Sequence, residues 1–374
     1  MSLSAIDYRL MARALHLAER GLYTAHPNPR VGAVIAQGET IVGEGWHRRT
    51  GEAHAEVYAL ERAGALARGA TLYVTLEPCC HFGRTGPCSA ALIAAGVARV
   101  VVAMEDPFPQ VAGGGIAALR SAGIVVEVGL LREQAQTLNR GFQQRVIHGR
   151  PWVRCKLGMT LDGRTAAADG TSQWITSAAA RADVQHWRAR SGALLTGVST
   201  VLADNPALTV RAVEMPQEVE QGALPQPWRV IVDSQLRTPL TAHLLSLPGK
   251  IIIFTRNGDL HAQEPLRSAG VEIIVMDSDA QQRIALPEVM AVLAARGVNE
   301  LLVEAGPTLS GALLQAKLID EFIFYMAPKL LGSGGRGLLD LPTLRTLSDQ
   351  VPLQILDMRA VGSDWRITAQ PITA

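Results

Sequence analysis

His54-Ala55-Glu56, followed by Pro78-Cys79-Cys80-His81-Phe82-Gly83-Arg84-Thr85-Gly86-Pro87-Cys88, is the stretch on which the reading of this chain turns. One imidazole (His54) and two thiolates (Cys79, Cys88) can fill three of the four tetrahedral positions around a zinc ion and leave the fourth for water. Glu56, two residues beyond the histidine, is spaced to handle that water's protons. A purely structural zinc site wants four protein ligands. Cys80, next to Cys79 in a tight loop, is poorly placed to be the fourth.

The flanking sequence supports this placement. Ser4 to Arg20 has helical spacing of Leu10, Met11, Ala14, Leu15 and Ala18, and Ser4 and Asp7 have capping-box spacing. His26-Pro27-Asn28-Pro29-Arg30 cannot be helical. Val31–Ala36 and Thr40–Trp46 read as strands around a Gln37-Gly38 turn. A helix from His54 to Leu66, a strand from Thr71 to Leu76, and further alternation to Val128 indicate a layered α/β domain, closed by one helix over Leu131–Ile147. His54 and Cys88 each open a helix, where the helix dipole favours negative charge and so the thiolate form.

Composition limits what the chain can be. At 374 residues two domains are expected, with the break at His148-Gly149-Arg150-Pro151, giving domains 1–148 and 149–374. Hydrophobic residues make up 48% and charged residues 18%, which suits large buried cores. A net charge of +1 gives no electrostatic case for nucleic acid. Four cysteines are too few for a disulfide scaffold and fit a reducing compartment, and no apolar run is long enough for a membrane span. The expectation is a cytoplasmic protein.

The second half alternates strands and helices from Trp152 to the C-terminus and lacks the Gly-x-Gly-x-x-Gly fingerprint of a dinucleotide fold. Gly306-Pro307-Thr308-Leu309-Ser310-Gly311 lies between an apolar strand and a helix, where backbone N–H groups can hold a pyrophosphate. Gly332–Gly337 reads as a loop, and Cys155, in an apolar strand, as buried and inert.

His-x-Glu, then Pro-Cys and a second Cys, is the order found in zinc deaminases, where the glutamate is acid and base and not a ligand. Here the two cysteines are nine positions apart. With Asn28-Pro29-x-Val31-Gly32 and Gly43-x-Gly45-x-His47, the motif resembles the deaminase domain of the bifunctional riboflavin-biosynthesis deaminase/reductase family. Lys156-Leu157-x-x-Thr160-Leu161-Asp162-Gly163, Asp204-Asn205-Pro206-x-Leu208-Thr209-x-Arg211 and Glu304-Ala305-Gly306-Pro307-x-Leu309 resemble its reductase domain.

The resemblance implies a cytidine-deaminase-like α/β/α zinc domain followed by a dihydrofolate-reductase-like α/β domain. It implies hydrolytic deamination of 2,5-diamino-6-ribosylamino-4(3H)-pyrimidinone 5′-phosphate, then NADPH-dependent reduction of the ribosyl to a ribityl chain. One zinc per chain would sit on His54, Cys79 and Cys88, with Glu56 as proton shuttle and Asn28, His47, His81 and Arg84 on substrate. In the second domain Lys156 would be catalytic, with Ser172, Arg188, Leu208, Arg211 and Glu304 on substrate. NADPH would meet Gly158, Trp174, Thr200, Asp204, Ser234 and the turn Gly306, Pro307, Thr308, Leu309, Ser310, Gly311 and Ala312. The family suggests a homo-oligomer, dimer or tetramer. The competing expectation is a nucleic-acid-editing zinc deaminase with a non-catalytic C-terminal binding module; the near-neutral charge argues against it.

Overall fold

The computed structural model describes residues 3–80, 86–211, 214, 224–279 and 282–372. The chain divides into two compact units, Met1–Gly149 and Arg150–Ala374, one residue past the expected break.

The first unit begins with α1 (Ala5–Glu19), started by a reciprocal capping box between Ser4 and Asp7. β1 (Gly32–Gln37) and β2 (Thr40–Trp46) form an antiparallel hairpin. α2 (Ala55–Ala63), β3 (Thr71–Val74), α3 (Cys88–Ala95), β4 (Arg99–Val102), α4 (Gly114–Ser121) and β5 (Val125–Val128) follow. The described strands pair in the order β2-β1-β3-β4-β5, with β3, β4 and β5 parallel. Alternate residues along each strand feed opposite cores. Ala33, Ile35, Leu72 and Val100 pack with residues of α2, α3 and α4. Val34, Tyr73 and Val101 pack with α1. This is the expected α/β/α sandwich.

Two glycines fix where α2 begins. A Cβ on Gly45 would fall 2.2 Å from the Ala55 carbonyl oxygen, and one on Gly43 the same distance from that of Ala59. The bare backbone of β2 therefore lets the first turn of α2, with His54 and Glu56, lie directly on the sheet.

One expectation fails here. Leu131–Ile147 is not one helix but α5 (Arg132–Leu138) and α6 (Arg140–His148), broken at Asn139. The buried Asn139 side chain accepts from the Arg30 N–H at 2.8 Å and donates to the Arg30 carbonyl at 2.9 Å. The helix breaks where this amide ties down the proline-rich loop ahead of β1.

The second unit runs β6 (Trp152–Thr160), β7 (Arg164–Ala166), α7 (Ala178–Arg190), β8 (Ala193–Gly197), α8 (Val198–Asp204), β9 (Trp228–Val232), β10 (Ile251–Thr255), α9 (Leu260–Ser268) and β11 (Glu272–Val275). It continues with α10 (Leu286–Ala295), β12 (Glu300–Val303), α11 (Pro307–Gln315), β13 (Glu321–Ala327), β14 (Arg336–Gly337), β15 (Leu353–Val361) and β16 (Asp364–Pro371). The main sheet has the order β11-β10-β9-β8-β12-β6-β13-β16-β15. It is parallel from β11 to β13, and β16 and β15 add an antiparallel edge. Such sheets bind ligands beyond the carboxyl ends of their parallel strands. The glycine run is not wholly loop: Arg336–Gly337 pairs with Arg164–Ala166 as a separate two-stranded ribbon.

Candidate active sites

In the first unit, His54 is the N-cap of α2, Glu56 lies in that helix's first turn, and Cys88 is the first residue of α3. The sulfur of Cys79 accepts the Cys88 N–H at 3.3 Å, so it too sits at the start of α3. His54 Nδ1 lies 3.3 Å from Cys88 Sγ and 3.6 Å from Cys79 Sγ. Tetrahedral zinc with ordinary Zn–N and Zn–S bonds separates such ligands by about 3.6 Å. All three ligand atoms lie within 4.8 Å of one another. The residues present fit a zinc ion.

The charges fit as well. Cys79 is pushed down to about 4, first by a hydrogen bond from the Cys88 thiol and then by His54. That same bond, together with burial, pushes Cys88 upward. One thiol thus ionises at the expense of the other; a divalent cation between them lets both do so. Burial pushes Glu56, only 3% exposed, up to about 7, where a carboxyl group both gives and takes a proton near neutral pH.

Asn28 and His47 form the adjoining wall. His47 Nδ1 is 3.1 Å from the Ala53 carbonyl, which only accepts, so this nitrogen carries the proton. Nε2 then accepts from Asn28 Nδ2 at 3.0 Å. The His47 ring stands edge-on to His54, 5.6 Å between centroids. His81 and Arg84 lie outside the described residues.

The second unit holds a cavity of about 1720 Å³ at the carboxyl edge of the parallel strands. Ligand pockets are usually about 300–1,000 Å³, so this one has room for two partners side by side. Lys156, Ser172, Arg188, Leu208, Arg211 and Glu304 line it, as do Gly158, Trp174, Thr200, Asp204, Ser234, Gly306, Pro307, Thr308, Leu309 and Ala312. Ser310 and Gly311 do not. Helical rotation turns them inward: Ser310 is fully buried, and a Cβ on Gly311 would strike the Asp340 carbonyl at 2.1 Å.

Charge in the cavity centres on Glu304. Arg188 grips it with Nε at 2.6 Å and Nη2 at 3.0 Å, and Lys156 Nζ stands 3.7 Å away. Burial alone would raise Glu304, but Arg188 and Lys156 outweigh it and hold the carboxylate at about 2. The fork of Arg188 is therefore turned to Glu304, and its Nη1 donates to the Thr209 carbonyl at 2.9 Å. Arg211 is the more available arginine: it is about half exposed, and among the described residues its side chain pairs with Glu214, itself partly exposed. Leu208 adopts a left-handed φ of 49°, rare for leucine and of a kind that clusters at functional sites. Sequence reasoning missed Arg181, which lines the cavity and stacks over Trp174 at 4.3 Å. It also missed Gln185, whose side chain takes the Arg211 N–H at 3.0 Å.

A model of the cytidine and deoxycytidylate deaminase zinc-binding region matches residues 4–104, and one of the RibD C-terminal domain matches residues 151–367. With the geometry above, these define the class: a zinc-binding deaminase unit joined to a reductase unit. The riboflavin biosynthesis protein RibD of Escherichia coli is 50% identical over 363 residues, 96% of this chain and 97% of that one. Its Haemophilus influenzae counterpart is 46% identical over 375 residues, 99% of each. The solved structure of Acinetobacter baumannii RibD superposes with a TM-score of 0.92 at 43% identity, covering 98% of this chain and 99% of that one. A Thermotoga maritima structure described as a diaminohydroxyphosphoribosylaminopyrimidine deaminase/5-amino-6-(5-phosphoribosylamino)uracil reductase reaches 0.85 at 31% identity, with coverage of 98% and 99%. The chain belongs to the RibD family of riboflavin-biosynthesis enzymes, bifunctional deaminases and reductases. Both halves of the chain are accounted for, and the nucleic-acid-editing reading is set aside. Among the described residues no helix is long and apolar enough to cross a membrane.

Proposed function

We propose that the first unit binds one zinc ion on His54, Cys79 and Cys88 and hydrolytically deaminates 2,5-diamino-6-ribosylamino-4(3H)-pyrimidinone 5′-phosphate. The second unit then reduces the ribosyl group to ribityl with NADPH. The observation that carries this is the His54–Cys79–Cys88 triad at zinc-ligand spacing with buried Glu56 beside it.

Zinc bound there supplies Lewis acidity and a water that is nucleophilic at neutral pH. Glu56 relays the two protons of the attacking water one after the other, the first to the ring nitrogen as the C–O bond forms and the second to the departing amine as the C–N bond breaks, so that a carbonyl replaces the amine and ammonia leaves. Asn28 donates to His47, and this pair orients the pyrimidine edge; His81 and Arg84 act on the same substrate.

In the second unit NADPH supplies the hydride for C1′ of the opened sugar. Gly158, Trp174, Thr200, Asp204, Ser234 and the N-terminal turn of α11 would hold the cofactor, and backbone N–H groups of that turn are of the kind that bind phosphate. Lys156, held by Glu304, polarises the sugar oxygen. Arg211 takes the 5′-phosphate, and Ser172, Arg188 and Leu208 complete the substrate wall.

The enzyme works as a homo-oligomer in the reducing cytoplasm. Support for self-association comes from the sheet edge: on β15, Ile355 is 61% exposed and Met358 50%, an apolar edge that a second strand or subunit can cover. The test of the reaction is a paired assay on protein of known zinc content, following ammonia and NADPH separately. Ammonia first and NADPH consumption after it is the expected order. Ammonia without NADPH consumption would remove the reductase assignment, and neither would remove the substrate.

A further inference from the structure

Glu77 stands two residues ahead of Cys79 and has none of the roles above. Its side chain is buried, 3% exposed. The carboxylate is met by four backbone N–H groups: Oε1 accepts from Gly115 at 2.9 Å and Ile116 at 3.1 Å, and Oε2 from Asp106 at 3.1 Å and Gly113 at 3.0 Å. Two of these donors belong to the first turn of α4, which has no partners of its own for them.

The glycines of this segment are pressed against the cysteine motif. Gly113 has a left-handed φ of 82°. A Cβ on Gly114 would stand 2.8 Å from Cys80 Sγ, and one on Gly115 only 1.9 Å from the Pro78 carbonyl oxygen. On the other side, the Cys79 carbonyl takes the N–H and the hydroxyl of Ser89, both at 3.1 Å. The Pro78-Cys79 turn is thus held between the starts of α3 and α4.

We propose that Glu77 is a positioning residue of the deaminase centre: its carboxylate clamps residues 106–116 against the Pro78-Cys79 turn and so holds Cys79 Sγ at ligating distance from His54 and Cys88. This rests on the zinc reading of that centre. A carboxylate only accepts and satisfies all four donors. Glutamine, nearly the same shape, turns its NH₂ toward two of them.

The test is Glu77→Gln in the full chain, with zinc release into a chromophoric chelator as the first readout. Release should quicken, and deaminase kcat should fall, each about 10- to 100-fold, the range for residues that orient metal ligands. NADPH oxidation with pre-deaminated substrate should not change. Gly115→Ala, which pushes on the Pro78 carbonyl without altering a charge, should reproduce both effects. A merely structural role would lower the melting temperature and leave zinc release and kcat at wild-type values well below melting; that result overturns the proposal.

Hydrogen exchange on the wild type needs no variant. Coupling between two sites is reciprocal, so zinc loading should slow exchange in peptides spanning 106–116. Unchanged exchange would overturn the clamp. Wild-type protein that takes up no zinc would overturn the reading of the centre and the clamp with it. Zinc held equally well by wild type and Glu77→Gln would overturn the clamp alone.

Discussion

The two centres are built in opposite ways. The first unit gathers His54, Cys79 and Cys88, the proposed zinc ligands, at two helix starts, and a metal's demand for particular donors limits which residue types can serve there. The reductase cavity gathers residues from Lys156 to Ala312 along a parallel sheet, and its centre is an ion-pair network, not a ligand set. A metal site can be read from residue types and spacing. An ion-pair site cannot, because sequence does not show which arginine a carboxylate has claimed.

The sharpest test of that contrast is Cys88→Ala. It removes a ligand, so zinc should be lost and deamination should fall by more than the about 100-fold typical of outer-shell changes, while NADPH oxidation stays intact. Metal analysis and the two assays read this directly. Lys156→Ala is the mirror image: reduction should fall about 100-fold or more, with ammonia release unchanged. If both activities fall together in either variant, the centres are not independent.

Glu304→Gln probes the network itself. Arg188 and Glu304 are both nearly buried, and breaking such a pair costs about 3–5 kcal/mol, to be measured by denaturant unfolding of the second unit. The pH dependence has a definite sign. Glu304 is depressed from its ordinary 4.5 to about 2, so its contribution is complete above 4.5 and is lost as pH falls toward about 2. The variant should lack this loss of stability. The smallest effect belongs to Ser310→Ala. Because Ser310 faces the interior, NADPH affinity by fluorescence titration should stay within about twofold of wild type, whereas a contact to the cofactor would cost more.

Much of the fold was legible because hydrophobic period and caps agree: Ser4 and Asp7 do start α1, and Cys88 does open α3. Asn139 was not legible as a break, since its partner, Arg30, is remote in sequence. The α11 turn was read as a run of contacts, but helical rotation divides it, with Thr308 and Ala312 facing the cavity and Ser310 and Gly311 facing away. The resemblance gave Arg188 and Arg211 alike as substrate contacts, yet only the structure shows Arg188 committed to Glu304. Glu77 was passed over because a lone carboxylate before Pro-Cys gives no sign of the four amides that meet it.

The most direct measurement is Glu56→Gln assayed for ammonia release, NADPH oxidation and bound zinc in one preparation. The account predicts loss of ammonia release, zinc still at one per chain, and full NADPH oxidation when pre-deaminated substrate is supplied. Zinc lost along with deamination would make Glu56 a ligand or a structural residue. Deamination retained would contradict its role as the proton carrier.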